Sequence, residues 1–297
     1  GIFFSPSLLA NSCCGQGPAS YTVLSLNQRF SFSAGMGYLR SIGRHEQVSE
    51  DQEGFRVWGD KKREVTSTTL NVASAFASRH QVLLNTAVLQ GRYSDDSGEE
   101  KSTNISDTLL GYSYEVLPEY SFSFWKPVIF LTGFINLPTG RSTYEMGLSE
   151  GSDVTGHDQW GSGLGVTVRK VIFPLTLTLQ ARSLQLFSES FGRVQVSNFY
   201  DSSIAFLVNY SSRLWGLQWT GGLTFNHLSE RTTQAFDGAP VDTSEVTQNL
   251  TVLAGVQRSI SESWAAGFSY SDQTLVGPAK NSILNRRVTL NLNYNYF

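Results

Sequence analysis

Residues 282–297 read SILNRRVTLNLNYNYF. Side chains alternate across an extended strand, so residues two apart share a face. Val288, Leu290, Leu292, Tyr294 and Tyr296 fall on one face, and Arg287, Thr289, Asn291, Asn293 and Asn295 on the other. One face is apolar and the other wholly polar. Phe297, at the end of the sequence, is one step out of register with Tyr294 and Tyr296.

The same period recurs along the chain. Phe30, Phe32, Ala34, Met36 and Tyr38 alternate with small or polar residues, as do Leu70, Val72 and Phe76, then Leu110, Tyr112, Tyr114 and Val116. Leu164, Val166 and Val168 follow, then Leu175, Leu177 and Leu179, Ile204, Phe206, Val208 and Tyr210, Leu250, Val252 and Val256, and Phe268 with Tyr270. Short turns are expected near 79–81, 118–121, 172–174, 211–214 and 259–263, and long polar loops near 44–62, 94–104, 139–157, 190–196, 230–243 and 277–281. A bulge is expected at Pro127, which lacks a ladder donor. Long and short connections alternate, which predicts an all-β, transmembrane, antiparallel up-and-down barrel of about twelve strands with both termini on the short-turn, periplasmic side. A soluble sandwich would have to bury the apolar faces against each other, and its turn lengths would have no reason to alternate.

Composition agrees. Charged residues make up 16% of the chain and the net charge is -3, against about 25% charged residues in soluble domains, yet mean hydropathy is only -0.17. Alternating lipid-facing and lumen-facing residues produce that combination. No apolar run is long enough for a membrane helix, and near-neutral charge offers nucleic acid no footprint.

Residues 1–12, GIFFSPSLLANS, read as the tail of a secretory signal peptide ending in Ala10-Asn11-Ser12. Residues 13–26 read as a periplasmic or lumenal segment, and 27–297 as one barrel. Adjacent Cys13 and Cys14 bond to each other only with strain, and Ala10-Asn11-Ser12 makes a poor lipidation signal for Cys13.

With the apolar parity outward, the lumen receives Arg29, Asp107, Glu115, Arg169, Gln180, Arg182, Gln218, Asn226, Asn249, Gln257, Arg287 and Asn291. Leu84, Val88 and one face of 128–137 are expected to add an apolar inner wall, which suits a greasy or aromatic solute. The alternative is a lumen sealed by the N-terminal segment. Trp215, Trp264, Tyr294 and Tyr296 are expected at the membrane interface near the short turns. Outer-membrane lipid and lipopolysaccharide are the expected surroundings.

The aromatic terminus resembles the last strand of bacterial outer-membrane barrels, which implies that barrel-insertion machinery reads 282–297. A second resemblance lies in FINLPTGRSTYEMGLSEGSDVTGHDQWGSGLGVTV, residues 134–168. Pro138-Thr139-Gly140 closing one strand, a loop, and Gly161-Ser162-Gly163 opening the next resemble the outer-membrane "transporter" barrels associated with phenol meta-pathway degradation, distant relatives of the FadL fatty-acid channels. That resemblance implies passive uptake of small hydrophobic or aromatic compounds, without a cofactor.

Two other function classes stay open at this level. His227 and Ser229 share one face, as the His and Ser of outer-membrane phospholipases do, but nearby Asn249 falls on the inward parity of the next strand, out of their reach. Ser229 is followed by Glu230-Arg231 rather than that family's Asn-Gly. His45, His80 and His157 lack ligand spacing, so no metal site is expected. The third class is a barrel that anchors a surface assembly with its lumen closed.

Overall fold

A strand with one apolar face needs lipid or a core on that side, and its backbone needs partners on both edges. The computed structural model shows how both needs are met; it describes residues 21–24, 28–49, 52–57, 62–96, 98–118, 123–145, 147–148, 153–212, 216–235, 242–277 and 279–297. In chain order the strands are β1 (Phe30–Ser49), β2 (Gln52–Val57), β3 (Lys62–Ala77), β4 (His80–Asp95), β5 (Gly98–Ile105), β6 (Thr108–Leu117), β7 (Val128–Leu137), β8 (Gly161–Ile172) and β9 (Leu175–Leu186). They continue as β10 (Glu189–Phe191), β11 (Val194–Val196), β12 (Phe199–Ser211), β13 (Leu217–Leu228), β14 (Arg231–Ala235), β15 (Asp242–Ser244), β16 (Thr247–Ser259), β17 (Trp264–Asp272) and β18 (Ser282–Tyr296).

Twelve of these form a closed antiparallel barrel in the order β18-β17-β16-β13-β12-β9-β8-β7-β6-β4-β3-β1. The seam closes by pairing β1 with β18, from Phe30 opposite Tyr296 to His45 opposite Ser282. β2 and β5 fold back on the far ends of β1 and β4, lengthening the wall at the loop end. A separate four-stranded sheet, β10-β11-β14-β15, stands at that same end.

The alternation sorts as the sequence pattern requires. Met36, Leu131, Ile135, Leu164, Ile204, Leu223, Phe268 and Leu290 are exposed on the outer surface, while Thr69, Asn71, Ser113, Thr132, Thr167, Thr220, Ser269, Thr289 and Asn293 are buried inside. An apolar exterior around a closed ladder is stable in lipid, where no strand edge is left unpaired. No helix among the described residues is long and apolar enough to cross a membrane. The barrel is that of a bacterial outer-membrane protein.

Aromatic rings gather at the short-turn end. Trp264 packs on Tyr294 at 5.0 Å between ring centroids, Tyr294 meets Phe30 at 6.4 Å, and Tyr296 is exposed. His80 extends the ring, its Nδ1 2.6 Å from the Tyr112 hydroxyl. Trp215 lies outside the described residues.

Two expectations are corrected. Leu84 and Val88 face outward; the inner positions of β4 are Gln81, Leu83, Asn85 and Leu89, because the strand is apolar on both faces and pattern alone cannot fix its parity. Pro127 makes no bulge, since β7 starts after it at Val128; the register shift falls on the partner strand between Glu115 and Leu117.

Candidate functional site

The barrel interior has an apolar side and a polar side. On the apolar side, Ala73, Leu83, Leu109, Phe130, Phe134 and Leu184 project inward from five strands and would face water in an empty barrel. Residues 21–24 cover them. Tyr21, Val23 and Leu24 are buried in the same cluster, with the Tyr21 ring edge-on to Phe134 at 4.8 Å.

Polar side chains of the wall take up the segment's hydrogen-bonding groups. Gln180 Nε2 donates to Tyr21 O at 2.9 Å, Thr167 Oγ1 to the Tyr21 hydroxyl at 3.0 Å, and Arg169 to Val23 O at 2.7 Å. Leu24 is held twice by Gln81, whose Oε1 accepts from its N–H at 2.7 Å and whose Nε2 donates to its carbonyl. Gly165 provides the floor: a β-carbon there would lie 2.7 Å from the Tyr21 hydroxyl oxygen and 2.8 Å from the Phe134 ring. Below, Gln28 donates to Asn295, and Arg29 N–H to Tyr296 O at 2.8 Å, joining the segment to the seam. Residues 1–20, including the signal-peptide reading and Cys13-Cys14, lie outside the described residues.

The residues expected in the lumen separate into several roles. Arg169 and Gln180 hold the segment. Glu115 is buried, Arg182 pairs with Asp201 at 3.0 Å, and Asn226 donates to Asn249 at 2.8 Å. Asn293 donates to Gln257, Arg287 reaches across β1 to Ser67 Oγ at 2.7 Å, and Gln218 is buried. Asn291 is half-buried beside Gly267, where a β-carbon would lie 2.6 Å from its Oδ1. Arg29 is exposed at the short-turn rim.

Asp107 does other work. It sits at the break between β5 and β6, and its carboxylate accepts from the backbone N–H of Gly140 at 3.0 Å, His157 at 2.6 Å and Asp158 at 3.3 Å. It therefore fastens the 138–160 loop to the rim instead of meeting water in the pore. The Pro138-Thr139-Gly140 turn gains a physical reason: a β-carbon at Gly140 or Gly156 would come within 2.6 Å of Asp107 Oδ1. Thr139 Oγ1 donates to Ser106 O at 2.7 Å. Gly161 and Gly163 are needed for close strand approach, since a β-carbon at Gly163 would lie 2.1 Å from Ser183 O. Inside the loop, buried Asp153 accepts from Gly147 N–H and pairs with Arg141 at 3.2 Å. Tyr144 then stacks on Phe191 at 5.6 Å, and Arg231 lies over both Tyr144 and Phe199, tying the loop to the sheet at the loop end.

Two loop groups titrate away from their usual ranges. Burial pushes His157 down, against the pull of Asp201 and Asp107, so the imidazole is neutral at pH 7. Burial, then Glu145 and Asp107, push Asp158 up from 3.8 to about 6. A raised carboxyl pKa means that the folded loop holds a proton the unfolded chain has released. Loop stability therefore falls as pH rises from 3.8 through about 6, and the cost is complete above that value. Asp158→Asn is expected to slow amide exchange across the loop at neutral pH and to leave it unchanged below the ordinary carboxylate pKa, as read by hydrogen exchange at the two pH values.

The hydrolase geometry is not assembled. His227 Nδ1 is 3.1 Å from Gln248 Nε2, while Ser229 Oγ accepts from Tyr200 N–H and donates to Glu230 O. Asn249 is engaged on the inner face with Asn226.

No protein-family model matches the chain, and no curated protein matches it by sequence. Solved structures do. The COG4313 outer membrane channel of Pseudomonas putida F1 superimposes with a TM-score of 0.69 at 11% identity, covering 95% of this chain and 100% of that one. The transport unit of the autotransporter AIDA-I from Escherichia coli gives 0.47 at 10% identity over 92% and 93%, and the TodX monoaromatic hydrocarbon channel deltaS2 mutant gives 0.43 at 11% over 90% of each chain. At such identities the first likeness is one of fold.

Proposed function

We propose that the protein is an outer-membrane channel for passive entry of small hydrophobic or aromatic compounds, with residues 21–24 as its occluding element. The observation that carries this reading is the apolar inner wall of Leu83, Leu109, Phe130, Phe134 and Leu184. A barrel serving only sugars or ions has no use for such a wall, whereas an apolar solute can compete for it with Tyr21, Val23 and Leu24. The fold shared with an outer membrane channel is in keeping with this. The reading places both termini and the short turns in the periplasm and the long loops outside the cell. It also has the insertion machinery engage 282–297.

A second reading, a closed barrel that anchors a surface assembly, draws on the same occupied lumen. Solute flux into liposomes holding the purified barrel separates the two. Flux of a neutral aromatic above the empty-liposome background, with little flux of a small sugar, is the expected result. Equal flux of both would make the barrel a general pore, and flux of neither would leave the anchoring reading.

A further inference from the structure

The strand register aligns six charged residues across six adjacent strands on the outward parity. Asp272 on β17 is opposite Arg286 on β18, Arg286 opposite Arg40 on β1, Arg40 opposite Glu64 on β3, Glu64 opposite Arg92 on β4, and Arg92 opposite Lys101 on β5. All six lie on the parity that carries the apolar exterior. One step towards the short turns, the row reads Tyr270, Val288, Tyr38, and the next reads Phe268, Leu290, Met36. On β17, β18 and β1 the charges thus border an apolar surface, whereas Thr66, Gln90 and Thr103 stand below Glu64, Arg92 and Lys101.

The height fits a membrane interface. From Phe30 to Tyr38, at about 3.4 Å per residue and a tilt near 40°, the outward run of β1 covers about 20 Å along the membrane normal, close to the apolar band of ~25 Å in such barrels. Arg40, with Arg286 beside it, lies where the headgroups of one leaflet begin.

Within the row the cations are unevenly answered. Arg286 pairs with Asp272 at 3.0 Å and donates to Thr274, and Glu99 serves both Arg92 at 2.8 Å and Lys101 at 2.7 Å. Arg40 is exposed and has no ion pair among the described residues. Arg40 and Arg286 stand directly opposite each other. Like charges at that position repel, unless an anion lies between them. Arg286 keeps Asp272 and Thr274 on its Nε and Nη2 edge, so a phosphate between β18 and β1 would meet its remaining N–H groups together with the fork of Arg40.

We infer that Arg40 and Arg286 bind a phosphate of lipopolysaccharide in the outer leaflet, with its acyl chains lying on Val288, Leu290 and Met36. The inference rests on the orientation proposed above, with the long loops outside the cell. Charge complementarity selects the occupant: the leaflet at that border carries phosphorylated glycolipid, and the acyl chains find an unbroken apolar surface below.

The test is native mass spectrometry of the full-length protein released from detergent, with hexa-acylated lipid A added in its bisphosphorylated and its dephosphorylated forms. The wild-type protein is expected to retain the bisphosphorylated form and not the other. The double variant R40Q/R286Q is expected to lose about tenfold or more in occupancy. Arg258, exposed on the outer parity of β16 near the short turns, is the control, and R258Q is expected to bind as wild type does. Equal retention by R40Q/R286Q, or equal retention of the dephosphorylated lipid, would overturn the site. Loss in R258Q alone would overturn the orientation, while failed solute flux with binding intact would count against the channel reading only.

Discussion

Leu24→Asp is expected to expel residues 21–24 from the lumen and to raise single-channel conductance several-fold in planar bilayers. Leu24 is fully buried against the apolar wall. Losing that side chain costs about 2–3 kcal/mol of burial, and a carboxylate left there without a partner costs several more. The barrel need not unfold to escape this cost. The segment is held by its own contacts to Gln81, Thr167, Arg169 and Gln180 and makes no part of the strand ladder. Moving out is the cheaper response. Unchanged conductance in a correctly folded variant would mean that the segment is not what obstructs the passage.

Asp107→Ala is expected to free the 138–160 loop while leaving the barrel intact. Three backbone N–H groups, from Gly140, His157 and Asp158, would lose one shared acceptor. A hydrogen bond to a charged group contributes about 1.5–3 kcal/mol, so local opening should become easier by at least that amount. Amide exchange at these three positions should then accelerate by about tenfold to a hundredfold. Exchange in β7 and β8 should stay as it was. Asp107→Asn keeps one acceptor oxygen and should fall between the two. Exchange rates equal to wild type in the alanine variant would show that Arg141, Asp153 and Tyr144 hold the loop without Asp107.

Period-two alternation was enough to read the barrel, because lipid on one side and polar groups on the other leave each strand little choice of face. β4 escaped that reading. Val82, Leu83, Leu84, Val88 and Leu89 are apolar on both parities, and only the seat of Tyr21 and Leu24 shows which leucine turns inward. The occluding segment was legible as a possibility, since residues 1–28 contain no charged side chain, but its four anchors are scattered over three strands, β4, β8 and β9. Asp107 was misread for a related reason. On a ladder its position looks like any inward acid, and its partners lie 33 to 51 residues away in sequence. Gly165 carried a signal in retrospect: it is the third glycine of the Gly161-Ser162-Gly163-Leu164-Gly165 run, and it is the one the Tyr21 hydroxyl touches.

The seam between β1 and β18 constrains the order of assembly. Its fifteen paired positions join the first barrel strand to the last, so the wall cannot shut until β1 and β18 have found their register. Residues 21–24 precede β1, and their seat is built from β3, β4, β6, β7, β8 and β9. None of those strands is β18, so the seat can form before the seam closes. While the sheet is still an open trough, the segment can lie down in it from the side, with no end to thread through a finished ring. Closure then surrounds it with the finished wall. The occluded lumen is in that sense a record of folding history, and a barrel opened by expelling the segment reaches a state that the folding chain need never have visited.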